Sequence, residues 1–215
     1  MLSASVDPLG RRTEMTYDGH GNVTLVKYLV GTPNQYQWSY QYTTWDFHNL
    51  WKATDPRGLI TTYSYDMRGR LIQVADPLAN LTKFAYNSQG LVTQVTDPLG
   101  RVTRFFTDPL GRVVQTTDPL GNKSTAVYDK LHRVTSSTDP TGNTVQMSYD
   151  AVGNLVSFTD ARNSVTGFTY DAKNRLVTRT DSLTRSDTFT YDGNDSGDAA
   201  SVKADLSKAS QAQRP

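Results

Sequence analysis

Two short alternating runs, separated by two turn signals, recur along this chain. Thr61/Tyr63/Tyr65, Thr82/Phe84/Tyr86 and Thr166/Phe168/Tyr170 each occupy every second position. The intervening column of Thr62, Lys83, Arg104, Thr125, Gln146 and Gly167 is mostly polar. A period of two predicts β-strands with unlike faces. A second run carries an apolar column at Leu71, Val92, Val113, Val134, Leu155 and Leu176. Turn signals of Asp, Pro and Gly recur at about ten-residue intervals and predict strand-turn-strand, not helix.

The pattern has a fixed period. Asp55, Asp76, Asp97, Asp118, Asp139, Asp160 and Asp181 are spaced 21 residues apart. Pro follows the first five, and Ala161 and Ser182 replace it in the last two. Gly58, Gly100, Gly121 and Gly142 lie three residues after their Asp. A parallel register holds Tyr65, Tyr86, Tyr128, Tyr149, Tyr170 and Tyr191, with Thr107 as its exception. Asp follows each of these positions except at Asn87, and Gly69, Gly90, Gly111 and Gly153 come four residues after the aromatic position. Asp-Pro-Leu-Gly supplies Asp first, Pro second with its fixed φ, and Gly fourth in a β-turn. Tyr-Asp-x-x-Gly reads as a looser turn, again closed by Gly. The repeat predicts an all-β fold of about nine tandem hairpins over residues 1–192.

Two segments depart from the period. Asp7 to Asp55 spans six residues more than two repeats. The excess is assigned to the segment before Trp45-Asp46, giving an extended hairpin at about 29–54 with Trp38, Tyr40 and Tyr42 in alternation. From Gly193 to Pro215 the register is lost, and Ala, Ser, Lys, Asp and Gln dominate. A disordered tail or a frayed helix is expected there.

Composition narrows the function. A net charge of +1 gives no electrostatic drive towards nucleic acid or anionic lipid. Without cysteine there are no disulfides or thiolate metal sites. No apolar run approaches the roughly 18–20 residues of a membrane helix. Met1 to Asp7 is not a signal peptide, so the chain expressed alone is expected in the cytoplasm. His20, His48 and His132 fall in turns and read as turn residues, not metal ligands. The two Asp of each repeat read as turn formers. Arg70, Arg112, Arg133 and Arg175 recur among acids and read as a solvated face. No nucleophile elbow, phosphate loop or dinucleotide fingerprint is present, so neither an enzyme nor a cofactor is expected. Tyr63, Phe84, Phe105, Phe168 and Phe189 read first as interlayer packing and second as a glycan-binding face.

Tyr65-Asp66-Met67-Arg68-Gly69-Arg70-Leu71 and Asp97-Pro98-Leu99-Gly100-Arg101 closely resemble the YD repeats of RHS-type proteins, and the resemblance covers roughly residues 7–192. It implies a continuous curved antiparallel sheet that spirals into a hollow shell. The implied partners are the remaining repeats of a longer shell and an enclosed toxin domain, in a secreted or cell-surface bacterial protein such as a polymorphic toxin, toxin-complex component or wall-associated protein. Nine hairpins make a ribbon roughly 85–90 Å long. A small cargo has a girth of about 100 Å. The chain is therefore expected to be one shell segment. The alternatives are a carbohydrate- or cell-surface-binding repeat module, and a truncated fragment without activity of its own.

Overall fold

The computed structural model of the chain describes residues 2–44, 47–191 and 199–204, the last group by backbone. Every regular element among them is a β-strand, in two compact units, residues 1–105 and 106–215. The first holds β1 (Leu2–Val6), β2 (Arg12–Tyr17), β3 (Val23–Tyr28), β4 (Tyr36–Tyr42), β5 (Leu50–Thr54), β6 (Ile60–Tyr65), β7 (Leu71–Ala75), β8 (Leu81–Tyr86), β9 (Val92–Thr96) and most of β10 (Val102–Thr107). The second holds β11 (Val113–Thr117), β12 (Lys123–Tyr128), β13 (Val134–Thr138), β14 (Thr144–Tyr149), β15 (Leu155–Thr159), β16 (Val165–Tyr170), β17 (Leu176–Thr180), β18 (Ser186–Tyr191) and β19 (Ala199–Ala204). Within each unit successive strands pair antiparallel, as in Val74↔Thr82 and Phe158↔Thr166.

The register explains the two sequence columns. Five of the repeat tyrosines sit opposite a Leu or Val of the apolar column: Tyr65↔Leu71, Tyr86↔Val92, Tyr128↔Val134, Tyr149↔Leu155 and Tyr170↔Leu176. A register shift follows at each of these hairpins, so one residue of the second strand, such as Ile72, is left unpaired. This β-bulge turns Leu71 towards the tyrosine's face and leaves Ile72 exposed.

The Tyr-Asp turn is not looser than the Asp-Pro turn. Both are the same five-residue structure. In the Asp97 turn the amide of Asp97 donates to the Arg101 carbonyl, and Gly100 donates to Asp97. In the Asp66 turn Asp66 donates to Arg70, and Gly69 to Asp66. The fourth residue has positive φ in both, +78° at Gly100 and +75° at Gly69. This is a type I turn closed by a left-handed residue, a common hairpin connection. Where Gly is replaced the backbone is unchanged: Ala79, His132, Asn163, Asn174 and Thr184 all have φ of 60–64°.

The extra six residues are shared out along the irregular hairpin. The Leu29–Gln35 loop takes two more than a regular turn, β3 and β4 one each, and the connection over residues 43–49 the last two. The excess is thus not confined to the segment before Trp45-Asp46. Tyr28 and Tyr36 stack across the longer loop with ring centroids 4.9 Å apart. Trp38 and Tyr40 lie opposite Val26 and Ala53. Those two small partners, 6% and 8% exposed, are the only buried apolar side chains among the described residues. Large aromatics cover small cross-strand neighbours there, and nowhere else does the sheet build a core.

The expected disordered tail is corrected in part. Ala199–Ala204 forms β19 and pairs with β18 through Thr190↔Ser201, with the bulge of the other repeats at Tyr191↔Ala199. The unpaired edge of β18 is a template for any following strand. The rest of the tail lies outside the described residues.

A β-branched residue at positive φ is strained by about 1–3 kcal/mol. Thr184→Gly is therefore expected to stabilise the chain, with Ala79→Gly having a smaller effect, and Gly100→Ala to destabilise it. Urea unfolding midpoints at constant m-value provide the measurement.

Candidate functional site

Aspartate carboxylates organise both edges of the sheet. In every Asp-led turn among the described residues, Oδ1 accepts the amides of the residues two and four positions on, as Asp66 does from Arg68 and Arg70 at 2.9 and 3.0 Å. Oδ2 takes the side chain at the fourth position, either Arg or Asn: Arg70 Nη2 at 2.6 Å, Asn122 Nδ2 at 2.8 Å. Asp76, Asp97, Asp118, Asp139 and Asp181 all carry both kinds of bond, whereas Oδ2 of Asp55 takes Arg57, two positions on, at 3.0 Å. Asp160 carries the two amide bonds. Asn87 does the same with an amide oxygen, accepting from Gln89 and Leu91. At Asp55, Asp66, Asp76, Asp97, Asp118, Asp139 and Asp181 these bonds hold the carboxyl below its ordinary range. At Asp66 the largest cause is the Arg70 side chain. At Asp139, Asn143 and Thr141 bring the value down to about 2.

Four arginines tie neighbouring repeats together. The guanidinium of Arg70 pairs with Asp66, lies 4.7 Å from the Tyr86 ring centroid, and donates to the Asn87 carbonyl at 3.2 Å. Arg112 repeats this on Asp108, Tyr128 and the Asp129 carbonyl, and Arg133 on Asp129, Tyr149 and the Asp150 carbonyl. Arg175 pairs with Asp171 beneath Tyr191. The solvated face expected for these arginines is replaced by a half-buried chain of Asp, Arg and Tyr. Each cation–π contact contributes about 0.5–1 kcal/mol near the surface.

The tyrosine hydroxyls complete the tie. Tyr65, Tyr86, Tyr128, Tyr149, Tyr170 and Tyr191 donate to the carbonyls of Leu50, Leu71, Val113, Val134, Leu155 and Leu176, each fifteen residues earlier, at 2.6–3.0 Å. The structure thus joins the tyrosine column to the Leu/Val column of the preceding hairpin. At the exceptional repeat, Thr107 has no phenol and Leu91 stands where Arg70, Arg112, Arg133 and Arg175 stand in their repeats. Gly69, Gly90, Gly111 and Gly153 hold the positive-φ corner beside each tie. A Cβ on Gly69 would also meet the Phe47 ring at 2.6 Å.

The histidines separate. His132 takes the left-handed corner of its turn. His20 and His48 come from different turns, and their rings lie 3.8 Å apart, a contact their spacing did not announce. No group of three or more His, Asp or Glu is placed to hold a metal among the described residues. The aromatic column stays half-buried on one face, with Phe84 opposite Val95 and Phe168 opposite Arg179.

Identical hairpins, tied to their neighbours through one repeated set of side chains, define a tandem β-hairpin repeat protein. The RHS Repeat family model matches residues 45–80, 86–123, 108–144, 128–163 and 149–186, and the chain belongs to that family. No curated protein matches it significantly. Among solved structures, TcdB2-TccC3-TEV and TcdB2-TccC3 without its hypervariable C-terminal region each align over 90% of this chain, at 17% identity and a TM-score of 0.73. A Photorhabdus luminescens Tc holotoxin pore aligns more weakly, over 94% of the chain at 15% identity and a TM-score of 0.43. The chain covers 11% of the two better-aligned structures.

Two outcomes test the site. Tyr149→Phe deletes one inter-hairpin hydrogen bond and is expected to cost about 0.5–1.5 kcal/mol in urea unfolding. Because folded-state carboxyl values are depressed, stability is expected to be constant above the ordinary value of 3.8 and to fall as pH drops towards about 2. Asp139→Asn, mimicking Asn87, keeps the turn and removes its share of that acid loss. Circular dichroism against pH reads both effects.

Proposed function

We propose that this chain is a wall segment of an RHS-type shell, one stretch of a longer array that encloses a toxin or effector domain in a secreted or cell-surface protein. Its role is structural, not catalytic, and its partners are further repeats and the enclosed domain. The observation that carries this reading is a recurrent apolar residue with nothing on it. Leu78, Leu99 and Leu120 stand at the tips of Asp-Pro turns and are 82%, 77% and 87% exposed, although turn geometry asks only for a tolerant residue there. The Leu/Val and aromatic columns are only partly covered as well. Burial of one such leucine is worth about 1.5–3 kcal/mol. Repeats beyond this chain supply the missing cover in a longer array. The short share of the structural relatives that this chain spans supports the same reading.

The test is the structure of the native gene product by electron cryo-microscopy. A sheet closed around a second domain, with these leucines against neighbouring repeats, is expected. An array open to solvent on its apolar face would overturn the proposal. For the chain alone, sedimentation velocity over a concentration series is expected to show self-association. Leu78→Gln/Leu99→Gln/Leu120→Gln is expected to shift it towards monomer while changing stability by no more than about 0.5 kcal/mol per site.

A further inference from the structure

Two of the three histidines of the chain meet where the tie between neighbouring turns is incomplete. From the Asp66, Asp108 and Asp129 turns an arginine, at the fourth position after Asp, reaches the carbonyl of the residue that opens the next such turn. In the Asp18 turn that position holds Asn22, whose side chain stays on Asp18 at 3.1 Å. The tyrosine arm of the tie is kept, with Tyr42 donating to the Val23 carbonyl at 3.0 Å. The arginine arm is replaced. Between the same two turns, the rings of His20 and His48 lie 3.8 Å apart at an angle of 41°.

The backbone places both rings. His20 stands at the exposed tip of the Asp18 turn, its amide held by Asp18 Oδ1 at 2.8 Å. His48 is half-buried and takes a left-handed corner at φ +52°. The next residue, Asn49, closes the connection by donating its amide to Thr43 Oγ1 at 3.0 Å. Asn174 holds the corresponding corner of the Asp171 turn, at φ +61°. There too the preceding turn carries asparagine in place of arginine, and Asn154 bridges to Asn174 at 3.0 Å. In both Tyr-Asp turns with this replacement, the corner residue of the next turn makes the link. His48 differs from Asn174 in bringing an imidazole to meet another imidazole.

We propose that His20 and His48 form a two-histidine site for a borderline-soft divalent metal ion such as Zn²⁺, and that the bound ion staples the Asp18 turn to the 43–49 connection. Imidazole nitrogen suits zinc, copper and nickel, whereas calcium and magnesium select oxygen. With Zn–N bonds of about 2.0–2.1 Å and tetrahedral angles, two bound rings hold their centroids about 5 Å apart, so closing on the ion takes roughly 1 Å of separation. A rotation of the exposed His20 ring supplies it. Asp18 adds negative charge on the same turn, its Oδ1 already accepting the His20 and Asn22 amides. Water completes the coordination. Because the two ligands come from separate turns, the ion binds the folded chain in preference to the unfolded one and stabilises it. Nothing in the spacing of these histidines along the chain pairs them, and the site is independent of the shell reading.

The experiment titrates the full chain, free of any affinity tag, with ZnCl₂, followed by calorimetry and by NMR of the histidine ring nitrogens. Saturable one-to-one binding is expected, with the His20 and His48 signals shifting and those of His132 unmoved. His20→Gln and His48→Asn are each expected to weaken binding about tenfold or more, equivalent to about 1.4 kcal/mol. Asparagine tolerates the left-handed corner, so the second variant keeps its turn. His132→Asn is expected to leave binding unchanged. Zinc is expected to raise the urea midpoint of the parent chain and to slow hydrogen exchange at the Thr43 and Asn49 amides, and to do neither in His20→Gln. MgCl₂ at the same concentration is expected to have no effect. Absence of saturation overturns the proposal, as does binding indifferent to both His20→Gln and His48→Asn. Binding that changes neither the midpoint nor the exchange of those amides overturns the staple.

Discussion

The five-residue turn closed by an aspartate carboxylate sets the register on which every regular strand depends. A slip of one residue would exchange the two faces of a strand. With almost no core to penalise such a slip, the turns must prevent it. Each carboxylate gathers two amides and, in most turns, the side chain at the fourth position, so the chain reverses over a constant number of residues. Two such turns, a strand of five and a strand of six give the 21-residue period. The bulge beside the tyrosine shifts the register by one residue, always at the same place. That regularity lets identical side chains meet in every repeat.

Cohesion between hairpins then comes from the edge. In an ordinary domain it would come from an interior. Here the tyrosine hydroxyl and the arginine guanidinium reach to main-chain carbonyls, groups present in every repeat whatever its side chains. The contacts are individually weak, about 1 kcal/mol apiece. They add because each hairpin has the same tie to its neighbour, as in other linear repeats. The same design leaves turn-tip leucines and one sheet face uncovered, a reserve of apolar surface that only more protein can use.

Much of this was legible in the sequence, because a strict period turns side-chain identity into position. Period-two alternation, the two columns and the turn sites follow directly from it. The equivalence of the two turns was also written there, since Asp55 to Gly58 and Asp66 to Gly69 have the same spacing. Proline in one and tyrosine before the other disguised it. The role of the arginines was hidden for a different reason. Interspersed acids look like charge cancellation along the chain, whereas in space Asp66 is the partner that aims Arg70 at Tyr86. The pairing of His20 with His48, and the sharing of six extra residues over four places, depend on irregular loops for which the period offers no coordinate.

That last point bears on where function can reside. A position fixed by the repeat is constrained by its copies: Asp must cap, Gly must turn, Tyr must tie. Side chains free to vary are those at the bulge, at the turn tips and in the irregular hairpin. Local departures from an otherwise consistent pattern are the expected places for function. At the bulge the regular repeats carry Ile, Thr or Val, residues that fill a pleat and do little else. The irregular hairpin puts Trp51 there, adds two residues to the adjoining connection, and surrounds the indole with three tyrosines of which two are already anchored. An exposed indole costs solubility and contributes no register, so the repeat's own structural logic gives no reason for it.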